Sequence, residues 1–182
     1  MKKALMSILA FLLLLCLFSC DFFWTDDTGK TPYASDMLKK TVEHFELTYD
    51  AEIYASDGTI DGAMELDDDI LNGKFGELMD YPELSTIKEY AVYFSDELYN
   101  EEFGFFLMES EDDVKAMKEY IDARMSRLRR NAVNYPSVDT SMIDAYIVES
   151  NGKWVWYAAT KDNSYFGNVT GEFILKPGRK PD

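Results

Sequence analysis

The chain has 182 residues, which suits one domain of ordinary size and excludes a multidomain assembly. Aromatic residues make up 15% of it, so it can bury enough apolar surface to offset the entropy of folding, and a disordered chain is excluded. Acidic residues outnumber basic ones 34 to 18, and the net charge of −16 disfavours binding to nucleic acid or to an anionic membrane surface.

The first twenty residues have the pattern of a bacterial lipoprotein signal. Lys2 and Lys3 give a positive start, and residues 4–18 form an apolar run interrupted by one serine. This length is typical of a signal-peptide core and is short for a membrane span, which needs about 20 apolar residues. The run ends in Leu17-Phe18-Ser19-Cys20. This resembles a lipobox, in which a small residue precedes the acylated cysteine. Cys20 is therefore the predicted lipidation site; an uncleaved N-terminal membrane helix is the alternative.

A lipid on Cys20, such as palmitate, would hold the domain on the extracytoplasmic face of the cell membrane. Cleavage of the signal peptide, residues 1–19, would also remove Cys16, the other of the two cysteines. The mature domain would then form no internal disulfide, even in an oxidising compartment, so that core packing must stabilise it.

Residues 20–35 are predicted to form a polar tether, and a helix is predicted to follow it. Ser35 is a suitable N-cap for a helix beginning at Asp36. The spacing of Met37, Leu38, Val42 and Phe45 gives this helix one apolar face. The only histidine, His44, lies on the same helix and is interpreted as a surface residue.

The remaining segments predict a mixture of strands and helices. Strands are expected at residues 48–55, 88–94 and 103–108, and the last is apolar on both faces, as in the middle of a sheet. A short helix is expected at residues 67–75. A capping box of Ser110 and Asp113 opens a long helix that runs to about Ala132.

Two further strands, at residues 145–149 and 153–159, flank the hairpin signal Asn151-Gly152. The pattern predicts an α+β fold, with an antiparallel sheet of about four strands and a long helix and shorter helices packed on one face. One domain covers residues 36–175, and residues 176–182 form a polar tail.

The region from Asp67 to Asp162 resembles domain-of-unknown-function family 4358, small lipoproteins of bacteria. The resemblance rests on Asp68-Asp69-Ile70-Leu71, on Glu101-Glu102-Phe103-Gly104-Phe105, on the long charged helix followed by Tyr135-Pro136, and on Gly152 with the aromatic strand 154–157. It implies an exported, lipid-anchored domain. It implies no activity, because none is attached to the family, and no catalytic residue.

The motifs of common enzymes are missing from the sequence. The mature chain would have one histidine and no free cysteine. These are too few residues for a zinc site, and a nucleophilic triad would have to use that one histidine as its base. Nor is there a G-x-S-x-G, a P-loop or a G-x-G-x-x-G. We therefore predict no enzyme, no catalytic residue, no cofactor and no metal. A carboxylate-dependent hydrolase of the cell envelope stays open as an alternative, because acidic residues are abundant.

Residues 57–68 partly match a calcium-binding EF-hand loop. Oxygen-bearing side chains fall at loop positions 1, 3, 5, 9 and 12, with Gly62 at position 6. Position 3 is Thr59 and position 12 is Asp68, where a glutamate is usual. The competing interpretation is a solvated loop with two Asp-Gly turns.

Two other groups of residues have both a binding and a structural interpretation. The arginines near the end of the long helix suit either an anionic ligand or the helix dipole; they are Arg124, Arg127, Arg129 and Arg130. The strand aromatics could line a ligand groove or form the core; they are Tyr90, Tyr93, Phe105, Phe106, Trp154, Trp156 and Tyr157. The structural interpretation is favoured for both groups.

The sequence thus predicts a membrane-anchored, non-enzymatic binding or interaction module. Its partners would be the membrane, through the lipid on Cys20, and a protein of the cell envelope, but no nucleic acid. A carboxylate-dependent hydrolase and a calcium-binding lipoprotein are the alternatives.

Overall fold

A computed structural model describes residues 34–76, 82–95 and 99–175. The helices are α1 (Ala34–His44), α2 (Asp68–Phe75), α3 (Glu111–Ala132), α4 (Ser141–Asp144) and α5 (Tyr165–Thr170). The strands are β1 (Glu52–Ala55), β2 (Ile87–Phe94), β3 (Glu102–Met108), β4 (Ile147–Asn151) and β5 (Trp154–Ala159). A 3₁₀ turn, Leu84–Thr86, precedes β2, and a π-helical turn, Gly171–Leu175, follows α5.

The strands form one antiparallel sheet in the order β1-β2-β3-β5-β4, which confirms the predicted α+β class. The apolar strand β3 lies in the centre, as its sequence indicates. The sheet has five strands rather than about four, because the short segment Glu52–Ala55 pairs with β2 as an edge strand. The predicted strand 48–55 is thus shortened to its second half.

Helices cover both faces of the sheet, whereas one face was expected. One core joins α2 and α3 to Tyr54, Val92, Phe106 and Tyr157. The other joins α1 and α5 to strand residues that point the opposite way, such as Tyr93 and Phe105. Successive side chains of a strand alternate between faces. Because the central strands are apolar at nearly every position, both faces require cover.

Local sequence signals account for the longest helix and the hairpin. The Ser110 hydroxyl accepts a hydrogen bond from the Asp113 amide, and the Asp113 carboxylate accepts one from the Ser110 amide, which confirms the capping box. Gly152 adopts a φ of 54° in the loop between β4 and β5, a conformation that glycine tolerates best. Ser35 was wrongly predicted as a cap: it lies inside α1, and its hydroxyl donates to Asp57.

Candidate functional site

A row of side chains crosses one end of the sheet on the face covered by α3. Glu52 of β1 is in register with Phe94 of β2, and Phe94 is in register with Glu102 of β3. Two carboxylates therefore flank an aromatic ring on adjacent strands. Glu102 is buried even though it is charged, and burying a charge is unfavourable unless it is paired.

Arg124 of α3 supplies the partner of Glu102. Its Nε lies 2.6 Å from Glu102 Oε1 and its Nη2 lies 2.7 Å from Oε2, so that the ion pair is bidentate. The Tyr157 hydroxyl also donates to Oε1, at 2.9 Å. The third nitrogen of Arg124, Nη1, donates to the Lys74 carbonyl at 2.9 Å. Arg124 thus joins the sheet to the end of α2.

Lys74 of α2 contacts the opposite end of the row, at Glu52. Its ammonium nitrogen lies 2.7 Å from Glu52 Oε2 and 4.5 Å from the centroid of the Phe94 ring. The Arg124 guanidinium lies 4.7 Å from the same centroid. Both distances are within the range of cation–π attraction. The Phe94 ring therefore contacts two cations, each paired to a carboxylate beside it.

These contacts shift the pKa values of the charged groups. Burial opposes the charge of Arg124, but the neighbouring Glu102 carboxylate outweighs it and raises the pKa of the arginine. Burial also disfavours the ionised Glu52, but hydrogen bonds from Lys74 and Tyr54 and the positive charges nearby lower its pKa. Burial and the Glu102 charge raise the pKa of Tyr157. Arg124 and Glu52 are thus held in their ionised forms.

A cleft of about 360 Å³ opens beside this row, and we call it the charged cleft. Its wall is formed by Glu52, Lys74, Phe94, Glu102 and Arg124, together with residues 99–101. Tyr99 has a φ of 70°, which is unusual for a bulky side chain. The cleft is small but within the size range of ligand pockets.

A second cleft of about 460 Å³ lies at the same end of the sheet and shares Ser95, Asn100 and Glu101 with the first. Phe45, Leu47 and Tyr93 line it, so it lies on the face covered by α1. We call it the aromatic cleft. Glu101 is buried here, and its Oε1 lies 2.9 Å from the ammonium nitrogen of Lys161. This cleft combines an apolar wall with a buried carboxylate that is paired to an exposed lysine.

The predicted arginine cluster is structural at three of its positions. Arg124 is buried against Glu102, and Arg127 donates to the carbonyls of Gly73 and Lys74 at the end of α2. Arg129 donates to the carboxylate and carbonyl of Asp144 at the end of α4. The arginines thus stabilise the carboxyl ends of neighbouring helices, where orphan carbonyls accept hydrogen bonds.

The strand aromatics are core residues, as favoured by the sequence. All seven are buried: Tyr90, Tyr93, Phe105, Phe106, Trp154, Trp156 and Tyr157. His44 is exposed, as predicted, and its ring stacks on Tyr165 with 3.7 Å between centroids. The predicted lipidation site, Cys20, lies outside the described residues, as do the tail 176–182 and nearly all of the tether.

Three of the five carboxylates in the loop at residues 57–68 accept hydrogen bonds within the protein. Asp57 accepts hydrogen bonds from Ser35 and Thr59. Asp67 caps α2 through the Ile70 amide, and Asp68 accepts from the Leu84 amide. Among the described residues, no group of three or more His, Cys, Asp or Glu side chains is placed to hold a metal ion.

The row formed by Glu52, Phe94 and Glu102 was not predicted as a site from the sequence. Glu101 and Glu102 were named there only as part of the resemblance to family 4358, and Glu52 and Lys74 were not named. The available signal was a pair of glutamates opening an otherwise apolar central strand. A charge at such a position requires a buried partner, but the sequence does not indicate which cation provides it.

Comparisons with models of protein families, with curated proteins and with solved structures found no match to this chain. The resemblance to family 4358 therefore stays a prediction. Within the described ranges, no helix is both long enough and apolar enough to cross a membrane.

Proposed function

We propose that this protein is a bacterial lipoprotein, anchored through Cys20 to the extracytoplasmic face of the cell membrane, whose domain is a non-enzymatic binding module. The anchor is supported by the two lysines, the apolar run and the cysteine that follows Ser19. The binding role is supported by two adjacent clefts at one end of the sheet.

The observation that carries the non-enzymatic role is the pairing of the carboxylates in the clefts. Glu52 is paired with Lys74, Glu101 with Lys161, and Glu102 with Arg124. A carboxylate hydrolase needs two convergent carboxyl groups, one of them with a raised pKa. Three of the four carboxylates that line these clefts are instead paired with neighbouring cations, which suits binding better than proton transfer.

The hydrolase alternative has one supporting observation elsewhere in the fold. Burial raises the pKa of Glu89, and the nearby charges of Asp57 and Asp36 add to the effect, although a hydrogen bond from the Ala34 amide opposes it. Glu89 lies on β2 next to the start of α1 and does not line either cleft. The hydrogen bond that it accepts from the Ala34 amide at the helix start favours a structural role.

Crosslinking and affinity capture in living cells test the proposal. The intact protein is compared with Cys20→Ala, and Cys16→Ala is the matched control because Cys16 would leave with the signal peptide. We expect one envelope protein or ligand to be retained by the intact protein and by Cys16→Ala, and lost with Cys20→Ala. Release of soluble fragments from purified peptidoglycan by the protein would instead support the hydrolase.

A further inference from the structure

Glu101 and Lys161 form an ion pair whose two partners differ sharply in burial. The side chain of Glu101 is 6% exposed, whereas that of Lys161 is 73% exposed. A buried carboxylate must keep a cation close to it. A lysine on a flexible stem in water is a partner that can leave, so the position beside Glu101 can be taken by another cation.

The neighbouring pair shows the contrast. Arg124 is buried together with Glu102 and is fixed by a further hydrogen bond to the Lys74 carbonyl. Exchange of that partner would require α3 to move away from the sheet. Exchange at Glu101 requires only a change in the conformation of one surface side chain.

The wall of the aromatic cleft indicates which cation fits. Phe45, Leu47, Ala51 and Tyr93 give it an apolar and aromatic surface, and its volume is about 460 Å³. Aromatic rings beside a carboxylate are suited to an organic ammonium group with an alkyl chain. A divalent metal ion would instead need several oxygen ligands.

Charge favours a cation in this cleft over an anion. Glu46 and Glu101 both line it, against the single positive charge of Lys161. When Lys161 turns away, two carboxylates remain. The chain as a whole carries a net charge of −16, which attracts cations and repels anions at long range.

We propose that the aromatic cleft binds an alkylammonium group, with Glu101 as its anionic anchor, Phe45 and Tyr93 as its apolar wall, and Lys161 as the cation that it displaces. The proposal rests on the binding role above and names its ligand class. The alkylammonium can belong to a small free amine or to a lysine side chain of a peptide.

An NMR titration of the full-length protein in nonionic detergent tests this site. The probe is butylammonium, the neutral control is 1-butanol, and the signals observed are those of labelled Phe and Tyr rings. We expect saturable shifts of the Phe45 and Tyr93 rings with butylammonium and none with 1-butanol.

Two variants are expected to change the affinity in opposite directions. Lys161→Ala removes the competing cation and should tighten binding roughly two- to fivefold, the range of an exposed ion pair. Glu101→Gln removes the anchor and should weaken binding at least about tenfold, as expected for a lost charge-assisted hydrogen bond. Lys115→Ala and Glu119→Gln, an exposed pair on α3, are the matched controls and should leave the affinity unchanged.

A capped peptide separates the two sources of the ligand. If acetyl-Gly-Lys-Gly-amide binds more tightly than butylammonium, the ligand is a lysine of a peptide; if it binds less tightly, the ligand is a free amine. Both results support the site. The proposal is overturned if butylammonium gives no saturable shift with Lys161→Ala, or if Glu101→Gln binds as well as the unaltered protein. Lipidation of Cys20 and partner capture are measured separately, so the broader function can stand when this site fails.

Discussion

The buried ion pair between Arg124 and Glu102 gives a sharp prediction for stability. Arg124→Met keeps most of the apolar stem and removes the guanidinium. It deletes three charge-assisted hydrogen bonds, two to Glu102 of 2.6 and 2.7 Å and one to the Lys74 carbonyl of 2.9 Å. The Glu102 carboxylate is left buried with the Tyr157 hydroxyl as partner. Breaking a buried pair in this way costs about 3–5 kcal/mol of unfolding free energy. Urea denaturation at neutral pH measures the loss.

Two further variants isolate the cause. Lys115→Met breaks an exposed pair with Glu119 on the same helix and should cost less than about 0.5 kcal/mol. The double variant Arg124→Met, Glu102→Gln removes both buried charges and should be more stable than Arg124→Met alone, because no unpaired carboxylate remains. A loss below about 1 kcal/mol for Arg124→Met, or a double variant less stable than the single one, would show that the pair does not stabilise the fold in this way.

Three other changes test particular parts of the fold. Gly104→Ala should destabilise the protein by about 1–3 kcal/mol by overpacking, because its Cβ would lie 2.8 Å from the Tyr157 ring; an unchanged urea midpoint would contradict this. Glu89→Gln should stabilise the protein at neutral pH. The folded-state pKa of Glu89 is raised above its usual 4.5, so its favourable protonated state is lost as pH rises through that pKa. The gain should shrink as the pH of the melt falls through the folded-state pKa and vanish below the unfolded pKa, and a gain independent of pH would argue against burial of the charge. Millimolar calcium should leave the thermal midpoint unchanged, since Asp57 and Asp68 accept hydrogen bonds within the protein; a rise in the midpoint would restore the calcium hypothesis.

Elements defined by local signals could be predicted from the sequence. The long helix begins after Ser110 and ends at Ala132, as the capping box and the apolar spacing indicate. The central position of β3 follows from its apolar character on both faces. Such features depend on residues close together in the chain, so one sequence is sufficient to find them.

Features that depend on distant partners could not be predicted. Arg124 and Glu102 are separated by 22 residues, and so are Lys74 and Glu52. Many cations and carboxylates of this acidic chain were equally plausible partners. The Ser35 hydroxyl donates to Asp57 instead of capping a helix, because the helix begins earlier and packs against the loop. Both faces are covered because the central strands are apolar at nearly every position and their successive side chains point to opposite faces, which the predicted one-sided packing overlooked.

Metabolic labelling with radioactive palmitate in a bacterial host, followed by mass spectrometry of the N-terminal peptide, tests the proposed lipid anchor on Cys20. We expect label and an acylated N-terminal cysteine in the unaltered protein and in Cys16→Ala, and no label in Cys20→Ala. An unlabelled protein that retains residues 1–19 would contradict the proposed lipid anchor and support the uncleaved membrane helix.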